Sequence, residues 1–367
     1  MTTRTFLLVV LLLTPLPTQA QDDCPSMVAD VYEMVETVCS QTERGEACYG
    51  NTLIDAQPYS DVQDFRFSEP GDLAELSTVQ TMRLSPLNTQ TAEWGVSLLY
   101  VDAVSAEETR PQAVQLIAFG NVEIENAPDD FYNPMQAFYY RSQLDDRPCQ
   151  AAPDSGILVQ TPQGVGKITL LVNEVAIELG STAYLQAQAG EEMFVTALEG
   201  EAVVSAVDDS VYTPQGALTR IPLNEQGRPE SAPLAAEPFD PETLQNLPVQ
   251  LLDRPIFITS DVHFYTINYC RTEQPIREGQ TVFINYGIGR WATLEEVATV
   301  LEGHTASITL DGVPLDTNYE GILLHDRDGD PGYGNRALAT WIATAGTHTM
   351  VGTWTLGNVT SCTFTVE

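Results

Sequence analysis

The segment His325-Asp326-Arg327-Asp328-Gly329-Asp330 sets three carboxylates at alternate positions. A loop so spaced can turn its oxygens toward one point, which is how hard cations such as calcium are held. Asp326, Asp328 and Asp330 are therefore the candidate calcium ligands, and no other cofactor is expected. The run departs from the EF-hand pattern, because Pro331 stands where glycine would make the turn and Ala337 where a bidentate glutamate would close the shell. A solvated acidic turn is the alternative reading. A second group is aromatic. Trp291 follows Gly289, and Tyr333 lies between Gly332 and Gly334; both read as loop side chains suited to contact with a sugar or polymer. Trp341 and Trp354 read instead as core.

Catalytic chemistry finds little to rest on. With Asp+Glu at 51, carboxylate pairs for glycoside hydrolysis can be drawn almost anywhere and so identify nothing. No GxSxG elbow, HExxH helix, P-loop or GxGxxG turn is present. The histidines His263, His304, His325 and His348 have no serine or cysteine motif nearby and read as satisfied or exposed residues.

The elements that would position these groups begin with an export signal. Arg4, an apolar run over 6–13 and Thr18-Gln19-Ala20 form a secretory pattern with cleavage expected after Ala20. The run is shorter than the roughly 20 residues needed to cross a bilayer, so no membrane insertion is expected once the signal is removed. Six cysteines with no CxxC pair then read as disulfides rather than a zinc or redox centre. Cys270 is expected to pair with Cys362 inside one small domain. Cys24 and Cys39 would sit about 22 Å apart on one helix, so each looks to Cys48 or Cys149, with the connectivity open. The formal charge of -35, with Lys167 the sole lysine, argues against nucleic acid and anionic membrane partners.

Apolar Val28, Val31, Tyr32, Val35 and Val38 recur at helical spacing inside a Cys-containing cap, 21–50. A first β unit follows over 51–148, with strands near 78–84, 95–101, 113–119 and 121–124. A second runs over 155–223, its short strands parted by Asn173-Glu174, Gly180, Gly190, Gly200 and Asp208-Asp209. The stretch 224–255 is a Pro-rich linker hugging the surface, with Asp240 placed to cap one short helix at Pro241. Strands return over 256–367, in number and spacing like an immunoglobulin-like β-sandwich, with a short helix placed at 292–301. The fold class is thus mainly β: a β-roll and a C-terminal sandwich, with one short N-terminal helix.

Leu179-Gly180-Ser181-Thr182, Met193-Phe194-Val195 and Leu198-Glu199-Gly200-Glu201-Ala202-Val203-Val204, closed by Tyr212-Thr213-Pro214-Gln215-Gly216, resemble the FecR-type β domain. That resemblance implies a FecR-like fold over 155–223 and an extracytoplasmic setting. In that family the domain relays a signal through a membrane segment to a sigma-factor system; a chain without a relay helix or cytoplasmic part, as expected here, departs from that regulatory role. The order of segments as a whole also looks like that of exported proteins of filamentous bacteria. The expected function is non-catalytic binding or adhesion outside the cell, to an unknown extracellular ligand such as a glycan or polymer. The ectodomain of a FecR-like sensor is the alternative, and a carboxylate-based hydrolase is third.

Overall fold

Strands that are apolar on nearly every residue, such as Val-Ser-Leu-Leu-Tyr-Val from Val96, are expected where both faces of a sheet are covered. The computed structural model, which describes residues 24–104, 111–127, 131–162, 167–254, 256, 258, 262–267, 270–272, 275–291, 305–315, 317–325, 331–355 and 357–366, accounts for that pattern. The fold is mainly β, with α1 (Cys24–Val38) as the one α-helix among these residues.

A nine-stranded sheet has the order 237–238, 217–222, 192–199, 182–187, 156–160, 112–119, 96–103, 46–49, 73–75. An eight-stranded sheet has the order 209–214, 201–206, 175–179, 168–172, 137–142, 122–126, 79–84, 54–58. Their inner faces form one core, with Leu99, Leu116, Val159, Leu185 and Val195 from the first sheet meeting Met82, Ile124, Phe138, Leu170, Ile177 and Val204 from the second. The stretches 51–148 and 155–223, expected as successive units, therefore share both sheets. Gln112–Phe119 pairs with Gly156–Gln160, and Ala137–Ser142 pairs with Ile168–Val172. Such long-range pairing leaves no local mark in a sequence, whereas the turns within each hairpin do.

Successive hairpins alternate between the two sheets, and glycine serves where the chain crosses over. Gly120 (φ +85°) joins Gln112–Phe119 to Val122–Asn126, and an added Cβ there would meet Ser155 Oγ at 2.1 Å. Gly200 (φ +67°) does the same between Glu192–Glu199 and Glu201–Ala206, where a Cβ would lie 2.6 Å from that of Ser181.

The outer face of the nine-stranded sheet is covered by α1 and the Pro-rich stretch. Val28, Val31, Tyr32 and Val35 pack with Trp94, Leu98, Ile117, Phe119 and Tyr184, and Phe239, Leu244, Leu247, Leu251 and Leu252 join the same cluster. Full burial of such side chains contributes about 1.5–3 kcal/mol each. The helix is pinned at its ends by Cys24–Cys149 and Cys39–Cys48. Prolines limit the strand pairing of the 224–255 stretch to the two residues 237–238, and glutamine side chains hold its later part. Gln115 donates to Leu251 O (2.9 Å) and accepts from Asp253 N (2.8 Å); Gln160, opposite it in register, engages Arg254 O and N at 3.0 and 2.9 Å. Asp240 caps a single 3-10 turn, Pro241–Thr243, accepting from Glu242 N.

The C-terminal residues form a five-stranded sheet, ordered 271–272, 262–266, 281–291, 331–342, 318–325, and a four-stranded sheet, ordered 313–314, 306–310, 346–354, 359–366. Val282, Ile284, Tyr286, Ala337 and Ala339 meet Ile308, Met350, Trp354 and Cys362 in their shared core. A disulfide joins Cys270 to Cys362. Trp354 is buried, and Trp341 lies half-buried against His348 and Phe364. No described helix is long and apolar enough to cross a membrane.

Candidate functional site

The candidate calcium ligands Asp326, Asp328 and Asp330, and the stretch 292–301 expected to turn as a helix, lie outside the described residues. Trp291 and Tyr333 do not lie in loops. Trp291 ends the strand Thr281–Trp291, Tyr333 falls in Pro331–Ile342, and the register sets the two opposite each other. The glycines beside them are accommodated because Pro331–Ile342 pairs on both sides, with Asn318–His325 and with Thr281–Trp291, which satisfies the backbone.

A better-defined concavity lies on the outer face of the eight-stranded sheet. Its origin is a splay between two parallel strands. Leu171 N and Asn173 N donate to Gln136 O and Phe138 O at 3.0 Å each, and then the chain turns away at Asn173-Glu174. Asn173 (φ +54°) completes the ladder with its side chain, accepting from Tyr140 N at 2.6 Å and donating to Tyr140 O at 2.8 Å. Beyond Tyr140 no described strand pairs on that side, and the sheet opens.

Two adjoining compartments fill the opening. One, of about 390 Å³, is lined by Glu123, Glu125, Tyr139, Arg141, Asn173, Gln226 and Arg228. The other, of about 550 Å³, shares Glu123 and Arg141 and adds Arg83, Asn121, Gln143 and Gln188. Cross-strand register explains the lining. Asp55, Arg83, Glu123 and Arg141 form one row over four strands; Gln57, Thr81, Glu125 and Tyr139 form the next. Opposite charges in adjacent register positions attract, and the first row alternates in sign along its length.

Most charges in the groove are neutralised in pairs. Arg83 meets Glu123 at 2.9 Å, and Arg228 meets Glu174 at 3.2 Å while its guanidinium lies 5.7 Å from the Tyr139 ring centroid. Tyr139 donates to Glu174 at 3.0 Å. Burial, and secondarily that bond to a carboxylate, raise the Tyr139 phenol above its ordinary value, so it stays a donor at neutral pH. Among the described residues, no side-chain ion pair or hydrogen bond engages Arg141 or Glu125. The arrangement offers donors and acceptors on an open floor, which suits a hydroxylated ligand better than an apolar one.

Two other polar clusters are structural staples. Burial pushes Glu199 up, but Arg254, Ser181 and Thr182 outweigh it and hold its carboxyl below the usual range. This cluster ties the end of the Pro-rich stretch to the sheet. His348 Nδ1 lies 2.7 Å from Asp311 Oδ2 and its Nε2 2.7 Å from Thr344 O. With both ring nitrogens committed, this imidazole clamps a hairpin.

The groove residues escaped the reading from sequence. Glu-x-Glu at 123–125 and Tyr-x-Arg at 139–141 are ordinary outward positions on strands, and the strand Ala137–Ser142 itself was not anticipated. Only the cross-strand register brings them together. No family model matches the chain, and no curated protein matches it.

Proposed function

We propose that this chain is a non-catalytic extracytoplasmic binding protein that holds a glycan on the outer face of the eight-stranded sheet. The observation that carries the reading is the pair of adjoining compartments joined at Glu123 and Arg141, lined by amides, carboxylates, guanidinium groups and one tyrosine. Three disulfides support a setting outside the reducing cytosol. Two packed sheets stapled by Cys270–Cys362 support an immunoglobulin-like sandwich for 256–367, with the parallel pairing of 262–266 and 281–291 as a departure from it. Hairpins alternating between sheets, with Gly200 at a crossing, support the FecR-like reading of 155–223. In that reading the roll leans on 46–142 for its sheet partners.

A glycan and polymer array probed with the mature protein and with Gln226→Trp tests the assignment. Gln226 is exposed on the groove wall, so the larger side chain fills the first compartment without disturbing a core. A glycan bound by the parent and lost in the variant is the expected result. Binding that survives the substitution would move the ligand elsewhere, and no binding at all would overturn the reading.

A further inference from the structure

We infer that the glycan carries a carboxylate, anchored by Arg141, and that the ligand is a saccharide with a single uronate. The inference rests on the groove reading above and deepens it. Arg83 and Arg228 are each held by a carboxylate, whereas Arg141 closes the row Asp55–Arg83–Glu123–Arg141 at the splayed side of the sheet, where no further described strand supplies an acid. Arginine presents a planar fork of donors that matches a carboxylate bidentately. Arg141 lines both compartments, and an added Cβ at Gly227 would lie 4.0 Å from its Nε, which sets the guanidinium stem beside the 226–228 wall.

The rest of the groove suits the remainder of such a sugar. Glu125 lies diagonal to Arg141 across adjacent strands and is an acceptor for hydroxyls on the same ring. Asn121, Gln143 and Gln188 line the second compartment, where a neighbouring neutral residue would lie. The whole chain sets the limit on ligand charge. At a formal charge of -35 the molecule repels anions. At physiological salt that repulsion is screened beyond about 8 Å. One carboxylate seated on Arg141 meets a local cation, while a polyuronate running out of the groove meets the acidic surface.

The test uses the mature protein and disaccharides of glucuronate or galacturonate linked to a neutral hexose, each compared with its uncharged methyl ester by titration calorimetry. The acid is expected to bind more tightly than the ester. Arg141→Gln should weaken the acid by about tenfold to a hundredfold, the range of a charge-assisted hydrogen-bonded pair, and the ester by clearly less. Arg141→Lys should restore part of the loss. Circular dichroism of each variant confirms that it is folded. Equal binding of acid and ester, indifferent to Arg141, would overturn the carboxylate anchor while leaving a groove that binds neutral glycans. Failure of acid and ester alike would overturn this inference, and the array decides separately whether the groove reading falls with it.

Discussion

Asn173 is the side chain on which the splay depends. It is 1% exposed and pairs with both backbone groups of Tyr140, N–H and C=O, which are buried with it. Replacing Asn173 with glycine keeps the positive φ available but leaves the Tyr140 N–H and C=O without partners. A buried polar group left unsatisfied costs about 1–3 kcal/mol, so the two together cost about 2–6 kcal/mol. Asn173→Ala should cost about 1–2 kcal/mol more, because alanine pays for the left-handed backbone that asparagine and glycine tolerate. Urea unfolding followed by far-UV circular dichroism gives the ranking parent, glycine, alanine. Hydrogen exchange should show the Tyr140 amide losing protection in both variants. A glycine variant within about 0.5 kcal/mol of the parent, the range of an ordinary surface change, with that amide still protected, would refute the reasoning.

Val207 (φ +50°) is 58% exposed at the two-residue turn between Glu201–Ala206 and Asp209–Pro214, so Val207→Asn should stabilise the fold by about 0.5–1 kcal/mol; a lower melting temperature would count against it. The hydrogen bond to Asp311 raises the His348 pKa above 6.5 against the opposing effect of burial, so its stabilisation is complete below that value and fades as pH rises through the raised pKa. Asp311, lowered by the Thr349 N–H and then by His348, contributes above the usual carboxylate range and loses its part as pH falls. Thermal melts across pH 5–9 should therefore decline on the alkaline side, and His348→Gln should flatten that limb; an unchanged slope would remove the clamp. For the Asp326, Asp328, Asp330 run, millimolar calcium should raise the melting temperature by mass action, and joint Asp328→Asn and Asp330→Asn should abolish the shift. No shift in the parent leaves a solvated turn.

What could be read from the sequence followed from local signals. The three-and-four spacing of Val28, Val31, Tyr32 and Val35 marks the buried face of α1, and most strands of the stretch 78–222 lie between the turn residues that flank them. The strand Asp209–Pro214 was hidden because Asp208-Asp209 reads as the turn, whereas the turn residues are Val207 and Asp208. A β-branched residue in the left-handed region is rare enough that no reading would place it there. The sharing of both sheets across 148–155 was hidden for a different reason. Sheets joined by the pairing of Gln112–Phe119 with Gly156–Gln160 are specified by tertiary burial rather than by anything between the two strands. The groove was hidden by composition: among 51 acidic residues, Glu123 and Glu125 stand out only after Arg141 and Tyr139 are set beside them.

Buried carboxamides recur wherever this fold cannot continue a strand. Asn173 replaces a missing parallel partner for Tyr140, and Gln115 and Gln160 replace an edge strand for a proline-rich segment. Gln136, 1% exposed, binds Val104 O and Thr169 O through its amide nitrogen and accepts from Val104 N and Asn133 N. A carboxamide carries the same donor and acceptor as a peptide group on a short arm, so it can satisfy backbone that geometry or proline has left unpaired. In a strand such a residue reads as a solvent-facing polar position, which is why Gln115 and Gln160 gave no sign beforehand, while Asn173 read only as a turn residue. The device also has a functional consequence. A parallel strand continuing past Asn173 would cover the side of the sheet on which Arg141 opens, so the substitution of one side chain for a strand is what leaves the groove accessible.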